Sequence, residues 1–320
     1  MQGLVGDIGG TNSRFALVRD GTIIADSQLR FRNDDYASFP EVLRAYLDRI
    51  DAPIQRVCIG CAGTVRDGFV RLTNRPWTVG AEQVVALTGA QSVRVLNDLQ
   101  AQGYALHGLS VDEMENVIPA SEPVPLDGTR LSISVGTGVN MAVSYLLDGQ
   151  VFVPRSESGF IALPVQNAED LKLLTYLQER MDSVTVEAIL SGAGLTHLWR
   201  YYGGLADNNG AQVIEKYMEN DPVAVAALRR FATVLAQYSA SLALTHLPGG
   251  GLILAGSVGR AVGPYLQDLG FAEAFLACDR GADVLPKIPV WIAPDVELGL
   301  IGCARFLRQQ DGLDQVQIAP

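Results

Sequence analysis

Histidine and cysteine are scarce in this chain of 320 residues, with three and four copies. His107, His197 and His246 are far apart and form neither metal-ligand nor triad spacing, so each reads as structural. Cys58-Ile-Gly-Cys61 has C-x-x-C spacing, but no second such pair and no nearby His pair completes a zinc site. On a strand, three positions of separation turn these two thiols to opposite faces, which favours inert buried cysteines. Positive charge is also short: 24 Lys and Arg stand against 35 Asp and Glu, a net charge of −11. Such a chain repels a phosphate backbone, so nucleic acid is excluded as a partner. No apolar run is long enough to span a bilayer, and the first residues already read as a strand rather than a leader. A soluble, cytoplasmic protein with no membrane partner is expected. Neither a Walker-type loop nor a Gly-x-Gly-x-x-Gly turn is present.

What is present begins at the N-terminus. The apolar run Leu4-Val5-Gly6 enters Asp7-Ile8-Gly9-Gly10-Thr11-Asn12, and a second apolar run, Phe15 to Val18, leaves it after Ser13 and Arg14. This is strand, turn, strand. Glycine admits close backbone approach to a ligand, successive N–H groups favour an anion, and Thr11 adds a hydroxyl. Asp7 could face a phosphate-bound Mg²⁺ through water. The plainer alternative is a chain reversal built from ordinary turn residues. The number of glycines beside Asp, Thr and Arg favours a nucleotide phosphate.

The length and the 48% hydrophobic content fit two cores. Strands are expected at 3–8, 13–18 and 22–31. A helix should follow Ser38 and Glu41, which have capping-box spacing. A strand over 56–62, a hairpin at Arg66-Asp67-Gly68, a helix over 81–88 and a strand from Val93 to Leu96 come next. Residues 108–130 are irregular and proline-bearing, the best boundary. The opening pattern then returns: a strand from Leu131 to Val135, the turn Gly136-Thr137-Gly138, and a strand from Val139 to Leu147 before Asp148-Gly149. The remainder is mostly helical, with a helix near Thr185 that includes Glu187, a long helix from Asp221-Pro222 to His246 and helices over 259–279. A buried strand runs up to Gly256-Ser257. Pro289 argues that the strand from Ile288 to Ala293 lies near an edge. The last helix is expected over 298–307.

Asn97-Asp98 falls where a strand ends and a helix begins, the usual ligand end of an open α/β sheet. An aspartate there can take a proton from a hydroxyl that attacks a γ-phosphate. A simple N-cap is the equal alternative. Glu157 and Glu187, taken singly, read as solvated charges; converging, they would suit a polyhydroxylated ligand. The glycine-bearing turn at Gly256 would admit an adenine or ribose, or only tight strand–helix packing.

Taken in order, Asp7-Ile8-Gly9-Gly10-Thr11-Asn12 with Arg14, Leu72-Thr73-Asn74-x-Pro76-Trp77, Leu96-Asn97-Asp98, Gly136-Thr137-Gly138, Glu157 with Gly159, Leu190-Ser191-Gly192-x-Gly194-Leu195 and Leu254-Ala255-Gly256 resemble the bacterial ATP-dependent glucokinase family, within the actin-like ATPase and hexokinase superfamily. The resemblance covers about residues 3–308. It implies two actin-like (ribonuclease H-like) α/β domains flanking a central cleft. The small domain would be 1–107, completed by a C-terminal helix over 305–320, and the large domain 108–304. It implies Asp98 as catalytic base. Asn97, Asp98, Glu157, Gly159, Phe160 and Glu187 would meet the sugar. Gly6 to Asn12, Gly136 to Gly138, Gly256 and Ser257 would meet ATP. ATP, Mg²⁺, a small sugar and a homodimer are the implied partners. One departure stands out: the family usually reads Glu-Gly-Gly-His where this chain has Glu157-Ser158-Gly159-Phe160. Phe160 replaces a sugar-contacting histidine and cannot make its hydrogen bond, and Ala162 stands where Asp is common. The expected activity is phosphorylation of a hexose, most directly glucose. The alternatives are a kinase for another hexose or derivative, or a non-catalytic sugar sensor.

Overall fold

The computed structural model describes residues 2–66, 69–73, 75–205 and 208–316. The expected turn at Asp67-Gly68, Asn74 of the Leu72–Trp77 motif and residues 317–320 of the expected terminal helix lie outside the described residues. In chain order the elements are β1 (Gln2–Ile8), β2 (Asn12–Arg19), β3 (Thr22–Ile23), β4 (Leu29–Arg32), α1 (Phe39–Leu47), β5 (Arg56–Cys61), β6 (Gly63–Arg66), β7 (Phe69–Leu72), β8 (Thr78–Gly80), α2 (Ala81–Thr88), β9 (Ser92–Asn97) and α3 (Asp98–Ala105). Then come β10 (Glu115–Ile118), β11 (Arg130–Val135), β12 (Val139–Leu147), β13 (Gln150–Phe152), α4 (Ala168–Gln178), α5 (Gly192–Tyr201), α6 (Gly210–Met218), α7 (Pro222–His246), β14 (Leu252–Ala255), α8 (Ser257–Val262), α9 (Phe271–Leu276), β15 (Val290–Ile292) and α10 (Leu298–Val316). The chain folds as two compact units. One holds the chain up to Gly108, Leu146–Arg155 and the chain from Val296; the other holds Leu109–Tyr145 and Ser156–Asp295. The segments 146–155 and 296–304, which the sequence grouped with the large domain, are thus part of the first unit.

The first unit is built on a sheet of order β3-β2-β1-β5-β9, with β4 also on β2. β1 and β2 are antiparallel, and β1, β5 and β9 are parallel, with Ile8 level with Cys61 and Cys61 level with Asn97. Phe39, Val42, Leu43 and Tyr46 fall on one face of α1 and are all fully buried. Each such side chain contributes roughly 1.5–3 kcal/mol. Tyr46 packs against Phe15 of β2 with ring centroids 5.2 Å apart. α10 packs on α3, β5 and β1. The single strand expected over 22–31 is broken in two. Ser27 causes the break: its Oγ bonds Ile24 O and accepts from Leu17 N–H (2.8 Å), which drives a 3₁₀ turn. The capping box at α1 is also displaced. Glu41 accepts from Ala37 N–H (3.0 Å), and the Ser38 side chain makes no capping bond.

The second unit has a sheet of order β10-β15-β14-β11-β12. β11, β14 and β15 are parallel, and β11 and β12 form an antiparallel hairpin. Both sheets therefore repeat one scheme, an antiparallel hairpin followed by parallel strands. α7 is capped by Asp221, whose carboxylate accepts from Val223 N–H (2.8 Å) and Ala224 N–H (3.1 Å). It is buried on most of its surface, and its Arg230 forms an ion pair with Asp170 inside the unit. Three expectations are corrected here. β15 is interior, because Pro289 precedes the strand and β10, unforeseen in the irregular 108–130 stretch, covers its other side. The helix expected near Thr185 is only a 3₁₀ turn over Val186–Ala188; Ser191 then starts α5 by accepting from Gly194 N–H (3.0 Å). The helices expected over 259–279 are the short α8 and α9, separated at Pro264 and at Gly270. Among the described residues, no helix is long and apolar enough to cross a membrane.

Candidate active site

In the first unit the functional candidates gather at the carboxyl ends of β1 and β9. The β1–β2 turn is closed by Gly9 N–H donating to Asn12 O (3.0 Å). Asp7 is the second-to-last residue of β1, with its carboxylate 3.4 Å from Arg14, and Arg14 in turn pairs with Glu297 at 2.8 Å. Burial pushes the Asp7 carboxyl up to about 6, against the opposing pull of Arg14. Gly6 and Ile8 point elsewhere: Gly6 pairs with Phe15 inside the sheet, and the Ile8 side chain is in the core. Any contact of Ile8 with a nucleotide is therefore through its backbone.

Asn97, not Asp98, caps α3. Its Oδ1 accepts from Leu99 N–H (2.9 Å) and Gln100 N–H (3.3 Å), and its Nδ2 donates to Gly63 O (3.0 Å). Asp98 is the first helical residue, and its Oδ1 accepts from Leu99 N–H at 2.9 Å. The simple-cap alternative for Asp98 is thereby displaced onto its neighbour. The helix N-terminus stabilises the Asp98 carboxylate. Asp7 and Asp98 both raise the buried Cys61 thiol electrostatically, beyond the effect of burial itself. Cys58, Cys61 and Cys303 are buried free thiols, and no metal-binding group of His, Cys, Asp and Glu occurs among the described residues.

The second unit gathers the other set. Gly136 N–H donates to Gly138 O (2.8 Å), and Gly192 N–H donates to Gly136 O (2.9 Å). Glu187 lies on this turn: its Oε2 accepts from Val139 N–H at 3.1 Å. A Cβ on residue 138 would come within 2.3 Å of that oxygen, so glycine is what lets the carboxylate in. The Glu157 loop is anchored to the start of β12. Asn140 Nδ2 donates to Ser156 O (2.7 Å), and its Oδ1 accepts from Ser158 N–H (3.0 Å) and Ser158 Oγ (3.1 Å). Tyr238 donates to Ser158 Oγ at 2.6 Å, and burial pushes its phenol up to about 12. Glu157 is held by pinned neighbours on both sides, and Phe160 stands 63% exposed at the end of the loop. Gly256 (φ +83°) passes β14 into α8 at Ser257, beside Gly136.

A glucokinase family model matches residues 4–310. The chain belongs to the glucokinase family. Glucokinases from Chromohalobacter salexigens and Pseudomonas paraeruginosa are 33% and 32% identical to it, over 96% of this chain and 98% and 92% of theirs. A crystal structure of glucokinase from an Antarctic psychrotroph aligns with a TM-score of 0.82 at 26% identity, covering 96% of this chain and 98% of that one. The glucokinase of Balamuthia mandrillaris, solved with glucose, shares the fold at 21% identity and a TM-score of 0.77, over 95% and 92% of the two chains. The fold is thus the two-domain actin-like α/β fold of the glucokinases, and the chain is an enzyme, a hexose kinase. Sequence reading missed the residues that brace this glucokinase site: Asn33, Arg75, Asn140, Tyr238 and Glu297. They have no motif or periodicity of their own; Arg75 occupies the unmatched position of the Leu72–Trp77 motif.

Proposed function

We propose that the protein transfers the γ-phosphoryl group of ATP to the 6-hydroxyl of glucose, with Asp98 as general base. The carrying observation is the placement of Asp98 at the start of α3, directly after Asn97, which is level with Cys61 and so with Ile8 of β1, and its orientation by the Leu99 N–H bond. The Asp98 carboxylate receives the hydroxyl proton. That hydroxyl oxygen then attacks the γ-phosphorus in line, and the bond to the bridging oxygen of ADP breaks. Asn97, Glu157, Gly159 and Glu187 receive the sugar. The turns at Gly9 to Asn12 and Gly136 to Gly138 direct N–H groups at ATP phosphates, and Gly256 and Ser257 take the adenosine.

Mg²⁺ fits this donor set. Asp7 offers carboxylate oxygens, and its charge is costly where it sits, which a hard cation nearby offsets. Bound with ATP, the ion neutralises phosphate charge. A cytoplasmic homodimer belongs to the same reading.

A second reading has its own observation. Phe160 offers an exposed apolar face where the family has a hydrogen-bonding histidine, which fits another hexose or a derivative. ATP-dependent ADP release across glucose, mannose, fructose, glucosamine and N-acetylated sugars tests both. Glucose should be the best substrate, and Asp98→Asn should lower kcat by about 10²–10⁴-fold. Near-wild-type turnover in that variant would remove Asp98 as the base. A different preferred sugar would make Phe160 the specificity residue.

A further inference from the structure

The β1–β2 hairpin is held from outside itself. The Asn33 side-chain amide donates to Gly9 O at 2.8 Å and Gly10 O at 3.2 Å, and Asn33 N–H donates to Thr11 O at 2.9 Å. From 65 residues further along the chain, Arg75 Nε donates to Gly10 O at 3.0 Å. Its Nη1 donates to Asn33 O at 3.1 Å, and its Nη2 pairs with Asp34. The guanidinium lies over Trp77, 5.0 Å from the ring centroid, and Trp77 is fixed by donating to Ala37 O at 2.9 Å. Asn33 is itself fixed by Ser13 Oγ at 2.7 Å and is fully buried.

The peptides are trans, so each C=O points opposite to the next residue's N–H. Pinning Gly9 O aims Gly10 N–H away from Asn33. Pinning Gly10 O aims Thr11 N–H away from Arg75. Neither N–H has a partner among the described residues. Asp34 neutralises Arg75, so what Arg75 supplies is geometry rather than a free cation.

We propose that Asn33 and Arg75 are positioning residues for the phosphoryl donor: they lock the hairpin with the Gly10 and Thr11 N–H groups facing the ATP polyphosphate. This rests on the reading that the hairpin takes ATP phosphates. Arg75→Ala should cut kcat/KM for ATP by about 10- to 100-fold while KM for the sugar changes by less than about twofold. Arg75→Lys should not restore it, since one ammonium cannot bridge Gly10 O and Asn33 O in the fork geometry. Added ethylguanidinium should restore Arg75→Ala in part. Asn33→Asp is the companion variant should Arg75→Ala not fold: it keeps the shape and removes the amide donors, and should show the same ATP-selective loss. Unchanged ATP parameters in these variants would overturn the proposal. Full recovery with Arg75→Lys would also overturn it, since a plain charge would then suffice. Amide exchange over residues 9–12 with and without AMPPNP separates the two levels. No slowing on AMPPNP would sink the phosphate reading and the clamp with it. Slowing together with ATP-neutral Arg75 and Asn33 variants would sink the clamp alone.

Discussion

At the first glycine hairpin, the carbonyls of Gly9, Gly10 and Thr11 are held by Asn33 and Arg75, groups from outside the turn. At the second, the turn is closed by its own Gly136–Gly138 bond and by Gly192 N–H, and a carboxylate, Glu187, already occupies Val139 N–H. Each turn has one closing backbone bond of its own, Gly9 N–H to Asn12 O in the first and Gly136 N–H to Gly138 O in the second, and the two differ in what is added to it. In the first, the Asn33 and Arg75 side chains and the Asn33 N–H hold oxygens and leave N–H groups facing outward. In the second, backbone and close glycine contacts hold the turn, and one N–H positions an acid. The second turn is therefore the less tolerant of added atoms, and it ties a candidate phosphate turn directly to a sugar-binding candidate.

The largest expected effect falls on the Glu157 loop, which rests on the strand that leaves the second turn. Gly159 passes so close to β12 that a Cβ would lie 1.9 Å from Val139 O. That oxygen belongs to the sheet and cannot swing aside. Gly159→Ala should cost about 3 kcal/mol of stability. It should also lift the Glu157 loop, so KM for the sugar rises more than KM for ATP. Chemical denaturation with steady-state kinetics checks this; an unchanged midpoint and sugar KM would remove the claim that backbone contact braces the Glu157 loop.

A smaller effect sharpens the first hairpin. Burial pushes the Asp7 carboxyl up to about 6 in the folded protein, from an ordinary value of 3.8. Below about pH 4 both states are protonated and Asp7 contributes nothing. As pH rises through that interval, the unfolded chain releases its proton more readily, so Asp7 lowers stability at neutral pH. Solvent screens part of this penalty, because the side chain is 19% exposed, and about 2 kcal/mol is expected. Asp7→Asn should therefore raise the denaturation midpoint near neutral pH and leave it unchanged near pH 4, while weakening activity. Equal stabilisation at both pH values would show that burial of the charge is not the cause.

This contrast also separates what could be read in the sequence from what could not. Both hairpins, the parallel strands and the long α7 were legible, because alternation, Gly turns and the Asp221-Pro222 start are local signals. Asn97 and Asp98 were legible as a strand-to-helix junction, but which of them caps α3 depends on hydrogen bonds that the order of residues does not encode. β10 was hidden because only Val117 and Ile118 of its four residues are buried, and β15 was misplaced because Pro289 lies just ahead of the ladder. Asn33 and Arg75 reach the hairpin across 24 and 65 residues, a distance at which periodicity carries no information.

The smallest expected effect on folding is the most informative about ligand. Gly9 has no left-handed backbone requirement, and a Cβ there would meet only Asn12 O, at 3.4 Å. Because side chains rather than close glycine contacts support this hairpin, Gly9→Ala should change stability by less than about 0.5 kcal/mol. The protein itself accommodates the added methyl. Any rise in KM for ATP in a variant with an unshifted melting midpoint must then arise from the methyl meeting the bound nucleotide. A rise of about tenfold, with the sugar KM unchanged, would place ATP phosphates against Gly9. Unchanged kinetics in a fully folded variant would move the phosphates toward Gly10 and Thr11, the two N–H groups that the Asn33–Arg75 pair aims outward.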